Sequence, residues 1–257
     1  MIDFHNHILP NIDDGAKDIE QTLELIKEAK KVGFDKIIFT PHYVEDYYEV
    51  NVQEKTELFN KVSEKTNELD LDIELYLANE VYMPIENLEE ILKQNKISTI
   101  NNTRYMLFEL PMNSEPFNLF DIIYDIQRLK LKPILAHPER YLYIQKNPEL
   151  VYDLIERGVL MQQNFGSIVG QYGKNAQIIA KNMLKTNSVH FLGSDVHRPN
   201  SIYKIMPQAL NKIEKIIGKE KLEELTITNP SLVLENQKID IDMPEKIKFG
   251  FLDKMKM

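Results

Sequence analysis

Six histidines occur in the chain, and five of them stand beside another potential metal ligand. His5 and His7 lie in DFHNH, His42 in FTPHY, His137 in LAHPER and His197 in GSDVH. Carboxylates fall in the same places: Asp13 and Asp14 in NIDDG, Glu80 after ELYLAN, Glu109 in LFELP and Asp195 in GSDVH. An isolated histidine at the end of a strand usually packs or hydrogen-bonds. Five in the same relation to an acidic side chain point instead to a metal site. In an extended His-x-His both rings leave the same side of the chain, so His5 and His7 suit one ion, and the same holds for Asp195 and His197. With no cysteine anywhere, imidazole and carboxylate donors favour divalent Mn, Fe or Zn. His190, alternating with apolar neighbours in SVHFL, reads as structural.

Two of the five arginines adjoin these motifs, Arg140 in HPER and Arg198 directly after His197. A guanidinium presents a planar fork to phosphate oxygens and stabilises charge that gathers on them. Four carboxylates (Asp14, Glu80, Glu109 and Asp195) against three divalent ions leave a local surplus of about +2, so a loaded site attracts anions and an empty one repels them. Asn164 in QQNFG either supports a ligand or caps a turn, and the turn is the favoured reading.

The rest of the composition narrows the chemistry. Absence of cysteine removes thiolate metal sites and cysteine nucleophiles. A formal net charge of -9 argues against a broad nucleic-acid surface and leaves room for a local basic pocket. Met1 to Pro10 lacks the basic and apolar regions of a signal peptide, and no later run approaches ~18 apolar residues. A cytoplasmic protein without direct membrane insertion is expected.

Positioning such residues requires elements that return repeatedly to one edge. Short apolar runs alternate with segments of helical period, which predicts strand-helix units and a parallel sheet, an α/β fold. Seven strands are expected, at Ile2 to His5, Lys36 to Thr40, Ile73 to Asn79, Arg104 to Leu110, Lys132 to Ala136, Val159 to Asn164 and Val189 to Gly193. Helices are expected over roughly 18–33, 51–69, 117–130, 148–157, 171–187 and 201–217. In a β/α barrel every strand points its carboxyl end at one rim, so the dispersed histidines and carboxylates would share one mouth. No linker interrupts the pattern, which predicts one barrel domain over 1–237. Residues 238–257, with five lysines and three methionines, form an extension whose expected form is a strand, a clasp or a mobile tail.

HNHILPNIDDG, FTPHY, Glu80, LFELP, LAHPER and GSDVH together resemble the bacterial manganese-dependent protein-tyrosine phosphatases of capsule and exopolysaccharide operons. These belong to the PHP (polymerase and histidinol phosphatase) superfamily, and the likeness runs from Met1 to about Asn236. The resemblance implies a distorted, TIM-like (β/α)7 barrel holding three metals, with Mn2+ foremost and Fe or Zn as alternatives. It implies that His5, His7, Glu80 and Asp195 hold the first ion. Glu80 bridges to a second held by Glu109 and His137, and Asp14, His42 and His197 hold the third. Arg140 matches the phosphate-contacting arginine of HPER, and Arg198 is a second substrate contact. The implied reaction is hydrolysis of phosphotyrosine on a protein, a partner tyrosine kinase governing polysaccharide synthesis, by a metal-bridging hydroxide. A small-molecule phosphoesterase of the histidinol-phosphatase kind and a metal-binding regulatory module are the alternatives.

Overall fold

The computed structural model describes residues 1–247; the remainder of the expected extension, 248–257, lies outside the described residues. Nine strand segments form: β1 (Ile2–Asp3), β2 (Lys36–Phe39), β3 (His42–Tyr43), β4 (Glu74–Leu77), β5 (Glu80–Tyr82), β6 (Tyr105–Glu109), β7 (Lys132–Ala136), β8 (Leu160–Asn164) and β9 (Phe191–Gly193). Every pairing between these strands is parallel, in two sheets ordered β1-β2-β4 and β3-β5-β6-β7-β8-β9. Their near-continuous apolar runs are what strands buried on both faces need.

Two of the expected strands are interrupted. Lys36 to Thr40 stops at Phe39, because Pro41 has no N–H to give a ladder, and the chain re-enters as β3. Ile73 to Asn79 likewise divides at Ala78 and Asn79 into β4 and β5. The amides of Ala78 and Glu80 still donate to Phe39 O (2.8 Å) and Pro41 O (3.1 Å), so the curl passes from one sheet to the other. The result is a curled parallel half-barrel.

Between β1 and β9 no ladder forms. Their extensions meet through Asp195 N–H to His5 O (2.8 Å) and His7 N–H to Val196 O (2.9 Å). Beneath them the buried Asp3 carboxylate accepts from Ser194 N (2.8 Å), Ser194 Oγ (2.6 Å) and the Tyr203 hydroxyl (2.6 Å). Burial pushes the Asp3 carboxyl above its usual range. Gly193 is demanded here, since a Cβ would lie 2.6 Å from that of His5.

Helices return the chain along the outside: α1 (Ile19–Lys31), α2 (Val52–Glu68), α3 (Leu88–Lys93), α4 (Leu119–Arg128), α5 (Leu142–Lys146), α6 (Glu149–Glu156), α7 (Phe165–Val169), α8 (Lys174–Lys185), α9 (Ile202–Glu223) and α10 (Asn229–Leu234). α1 shows the logic. Asp18 caps it by accepting from Gln21 N–H, and its Leu25, Ile26 and Ala29 face inward. The short α3, α5, α7 and α10 were not expected, because one or two turns carry too little period to register. α9 outruns its expected end and bends at Gly218, whose φ is 80°.

Side chains facing the helices form the larger core, and a second cluster fills the barrel axis. Phe4 and Phe191 stack there at 4.1 Å and 9°. Val233 and Leu234 of α10, with Ile239, plug the end at which the strands begin. Residues 238–247 adopt no regular structure; Ile239 and Ile247 are buried, and Glu245 N–H donates to Thr186 O (2.9 Å). No helix among the described residues is long and apolar enough to cross a membrane.

Candidate metal centre

At the opposite end the strands deliver the expected ligands to one place. Register brings His42 opposite Glu80 and Tyr82 opposite Glu109. His137 and Asp195 follow β7 and β9 in left-handed backbone, with φ of 35° and 53°, which turns each side chain inward as the strand ends. Such conformations are costly for residues with a Cβ and collect at functional sites. Gly15 ends NIDDG because a Cβ there would meet His7 O at 1.8 Å, so the Asp13-Asp14 loop folds tightly onto the His5-His7 segment.

Donor atoms face one another across the mouth. Glu80 Oε2 lies 3.3 Å from His5 Nε2, 3.2 Å from His7 Nε2 and 3.0 Å from His42 Nδ1. Glu80 Oε1 lies 3.0 Å from His137 Nε2, and Glu109 Oε1 3.6 Å from the same nitrogen. Asp195 Oδ1 is 3.6 Å from His7 Nε2 and His197 Nδ1, and Asp14 Oδ1 is 3.4 Å from His197 Nε2 and 3.7 Å from His42 Nε2. Three sets of atoms converge tightly enough to hold an ion: His5, His7 and Glu80; His42, Glu80 and Glu109; and His7, Asp14, His42 and His197.

Whether these residues fit metal is decided by their protons. The Gln162 amide oxygen only accepts, so at 2.8 Å it places a hydrogen on His5 Nδ1; the Asp13 carboxylate does the same for His7 Nδ1 at 2.7 Å. The neutral rings then aim both Nε2 lone pairs at each other across 3.1 Å. Two lone pairs converging on a buried carboxylate oxygen that has no hydrogen-bond partner form a cation cage. The set fits divalent metal.

Without metal, protons take the cations' part. Burial alone would depress His5 and His42, but Glu80 outweighs it and holds them up at about 9 and about 10. Glu80 is buried yet kept well below the carboxylate range by His5 and His42. Burial and the adjacent Glu80 push Glu109 up to about 8. His137, buried and near Arg140, falls to about 4.

A second circle of side chains holds the candidate ligands, and most of it escaped sequence reasoning. Asp13 accepts from His7 Nδ1, His42 N–H (2.9 Å) and Gly15 N–H (2.8 Å). Only its place in the DDG run hinted at this. Glu139 of HPER is buried beneath the rim, accepting from Ser167 Oγ (2.5 Å) and Asn164 N–H (3.0 Å), and burial raises it to about 7. Lys55 reaches from α2 to Asn79 and Ser98 beside the β4-β5 break, and burial lowers it to about 7. Asn164 overturns its favoured reading: its amide makes no cap bond, and Nδ2 donates to Asp195 Oδ2 at 2.7 Å. Its Oδ1, the acceptor a cap would need, is taken by Gln162 Nε2 at 3.0 Å. His190 holds a structural place, accepting from Met161 N–H at 3.0 Å.

Beside the cage opens a cleft of about 300 Å³ lined by Arg140, Tyr172, Asp195, His197, Arg198 and Ile202. Arg140 Nη1 donates to Asp195 Oδ2 (2.7 Å), and its guanidinium lies over the Tyr172 ring at 4.5 Å. Tyr172 also donates its hydroxyl to Asp195 (3.2 Å). Arg198 bonds the carbonyls of Gly15 and His197, tying the two ends of the cage.

This arrangement has close relatives. CapC of Staphylococcus aureus is 32% identical, covering 98% of this chain and 100% of its own length. The tyrosine-protein phosphatase YwqE of Bacillus subtilis (strain 168) is also 32% identical, with the same coverage. A crystal structure described as YwqE from Bacillus subtilis and CpsB from Streptococcus pneumoniae, unique metal-dependent tyrosine phosphatases, superposes with a TM-score of 0.90 at 31% identity, over 97% of this chain and 100% of that one. The histidinol phosphate phosphatase of Lactococcus lactis, at 13% identity and a TM-score of 0.57, shares the fold alone. Residues 1–235 match the family described as capsular polysaccharide synthesis, CpsB/CapC, and the chain belongs to that family.

Proposed function

We propose that the protein is a metal-dependent protein-tyrosine phosphatase whose substrate is phosphotyrosine on a cytoplasmic tail of a tyrosine kinase governing capsular polysaccharide synthesis. The observation that carries the reading is the unpartnered Glu80 oxygen amid three imidazole nitrogens, next to an arginine-lined cleft, in a chain akin to named tyrosine phosphatases. The nine strand segments are read as seven strand positions of a PHP-type (β/α)7 barrel, each interrupted strand counting once. Residues 1–237 are the catalytic unit, with 238–247 as a clasp across its outside.

His5, His7, Glu80 and Asp195 would hold a first ion, Glu80, Glu109 and His137 a second, and Asp14, His42 and His197 a third. His7 also lies within reach of the last set. Three Mn2+ ions suit these donors, with Fe or Zn as substitutes. Divalent metal supplies Lewis acidity and brings the pKa of water toward neutrality. The protein's own part is orientation. Gln162 and Asp13 fix the His5 and His7 tautomers, and Asn164, Tyr172 and Arg140 hold Asp195. Arg140 aims its fork at equatorial phosphoryl oxygens, where charge grows in the transition state. Arg198, at the cleft's far wall, is a second contact. A phenolate with a pKa near ~10 leaves without a strong general acid.

The deciding measurement is phosphate release from a phosphotyrosine peptide and from histidinol phosphate, with added Mn2+ and with chelator. Preference for the peptide and loss of turnover on chelation are expected. Activity that survives exhaustive chelation, or a preference for the alkyl phosphate, sinks the reading.

A further inference from the structure

A cavity larger than the metal cleft, about 510 Å³, opens at the other end of the barrel. From Lys132, where β7 starts, to His137, where it delivers a ligand, the chain runs roughly 16 Å. Four cationic side chains converge on this cavity from three stretches of chain: Arg104 ahead of β6, Lys130 and Lys132 around the start of β7, and Lys238 beyond α10. Among the described residues, no carboxylate lies within ion-pair reach of Arg104, Lys130 or Lys132, and Lys238 has only Asp240 at 3.9 Å. Asp240 and Asp242 are the acids of the lining, so about two positive charges stay uncompensated. Lys132 registers the crowding: burial first, then Arg104 and Lys238, push its ammonium below the usual range. In a chain of net charge -9, a cationic cluster that outnumbers the acids of its own lining by four to two needs a reason.

Walls of another character complete it. Leu131, Leu160, Ile239 and Ile241 line the cavity, and Arg104 lies over the Tyr105 ring at 5.4 Å. The position is set by one backbone and two side-chain hydrogen bonds: Lys132 N–H donates to Arg104 O (2.7 Å), Arg104 N–H to Asn236 Oδ1 (3.0 Å) and Tyr105 Oη to Gln237 O (2.6 Å). Its volume lies within the range of small-molecule sites. We propose that this cleft is a second ligand site, for a small organic diphosphate whose phosphates meet Arg104, Lys132 and Lys238 and whose organic group lies on Leu131, Leu160 and Ile241. A bound diphosphate would join the barrel to the 238–242 segment and so stabilise the fold.

Calorimetric titration of the full chain with ADP, UDP, pyrophosphate and phosphate, at low salt and in chelator, tests this without filling the metal cage. ADP or UDP is expected to bind more tightly than phosphate and to raise Tm beyond chloride at equal ionic strength. Binding should weaken by at least about tenfold in Lys132→Met and in the exposed Lys238→Ala, each removing a charge-assisted contact. Arg140→Ala should leave it unchanged. Unaltered phosphotyrosine turnover in the lysine variants, once reloaded with metal, would show that they fold. No heat from any diphosphate, or binding lost in Arg140→Ala but kept in Lys132→Met, overturns the proposal. Pyrophosphate binding as tightly as the nucleotides removes its organic half.

Discussion

The two ends of the curled sheet are built from the same strands and could hardly differ more. Where the strands begin, Val233, Leu234 and Ile239 close the axis over Phe4, Ile38, Leu107 and Phe191, a plug held by apolar burial and by hydrogen bonds from Asn101, Arg104 and Tyr105 to the 234–237 backbone and Asn236. Where they finish, Glu80, His5, His7 and His137 are as deeply buried, yet they are charged or polar and face one another. One end supplies stability; the other requires a cation or protons to be stable at all. Barrel enzymes separate these tasks between their faces, and the contrast shows how it is done here. The strand ends turn side chains inward through left-handed residues, whereas the strand starts send theirs into a hydrocarbon plug.

The widest break in this contrast comes from the cage itself. His5→Ala with His7→Ala, or chelation, is expected to lower phosphotyrosine turnover by more than about 10³-fold, beyond the loss of a single transition-state donor. Near-normal turnover in the double variant would mean that the chemistry lies elsewhere. Arg140→Lys should cost about 10²-fold in kcat/KM, since an ammonium cannot reproduce the fork that meets two phosphoryl oxygens. Steady-state kinetics showing parity with wild type would remove Arg140 from the substrate.

Asp13→Asn should weaken metal affinity by about ten- to a hundredfold, because the amide can present its NH2 to His7 Nδ1 and favour the wrong tautomer. Metal titration reads this directly. At the plug, Leu234→Ala should cost about 2 kcal/mol of stability and leave kcat of the loaded, folded enzyme alone. A fall in kcat there would show the ends to be coupled.

The smallest effect sharpens the comparison through pH. In metal-free protein His5 and His42 titrate at about 9 and about 10 against 6.5 when unfolded, and Glu109 at about 8 against 4.5. All three bind protons more tightly when folded. Their stabilisation is therefore present at lower pH and drains away as pH rises, from about 4.5 to 8 for Glu109 and from about 6.5 to 9 and 10 for His5 and His42. His137, held at about 4, works in the opposite sense only below 6.5. Metal-free Tm should fall across pH 7 to 10, and metal-loaded Tm should stay flatter. Metal uptake in this window should release protons.

The gathering of these side chains was legible in the sequence because imidazoles and carboxylates recur just past apolar runs, and parallel strands gather whatever follows them. All nine expected residues reach the same rim. Their supports were not legible. Gln162 and Asn164 sit within β8 itself, where an amide is as easily a packing residue as an orienting one. Tyr172 acts across 23 residues on Asp195, a span with no periodic signature. In the fold, the helical windows held and the strand breaks did not show. A proline after a β-branched run marks an end, but nothing in LANEV announces that Ala78 and Asn79 part β4 from β5.

The seam between the first and last strands has a further consequence. His5 and His7 are among the earliest residues synthesised, while Asp195 and His197 arrive nearly two hundred positions later. Their alignment depends on the Asp3 carboxylate being clasped by Ser194 and Tyr203. A chain truncated before Ser194 would lack both the clasp and two of the nine side chains at the rim, so the full cage could assemble only once the last strand is in place.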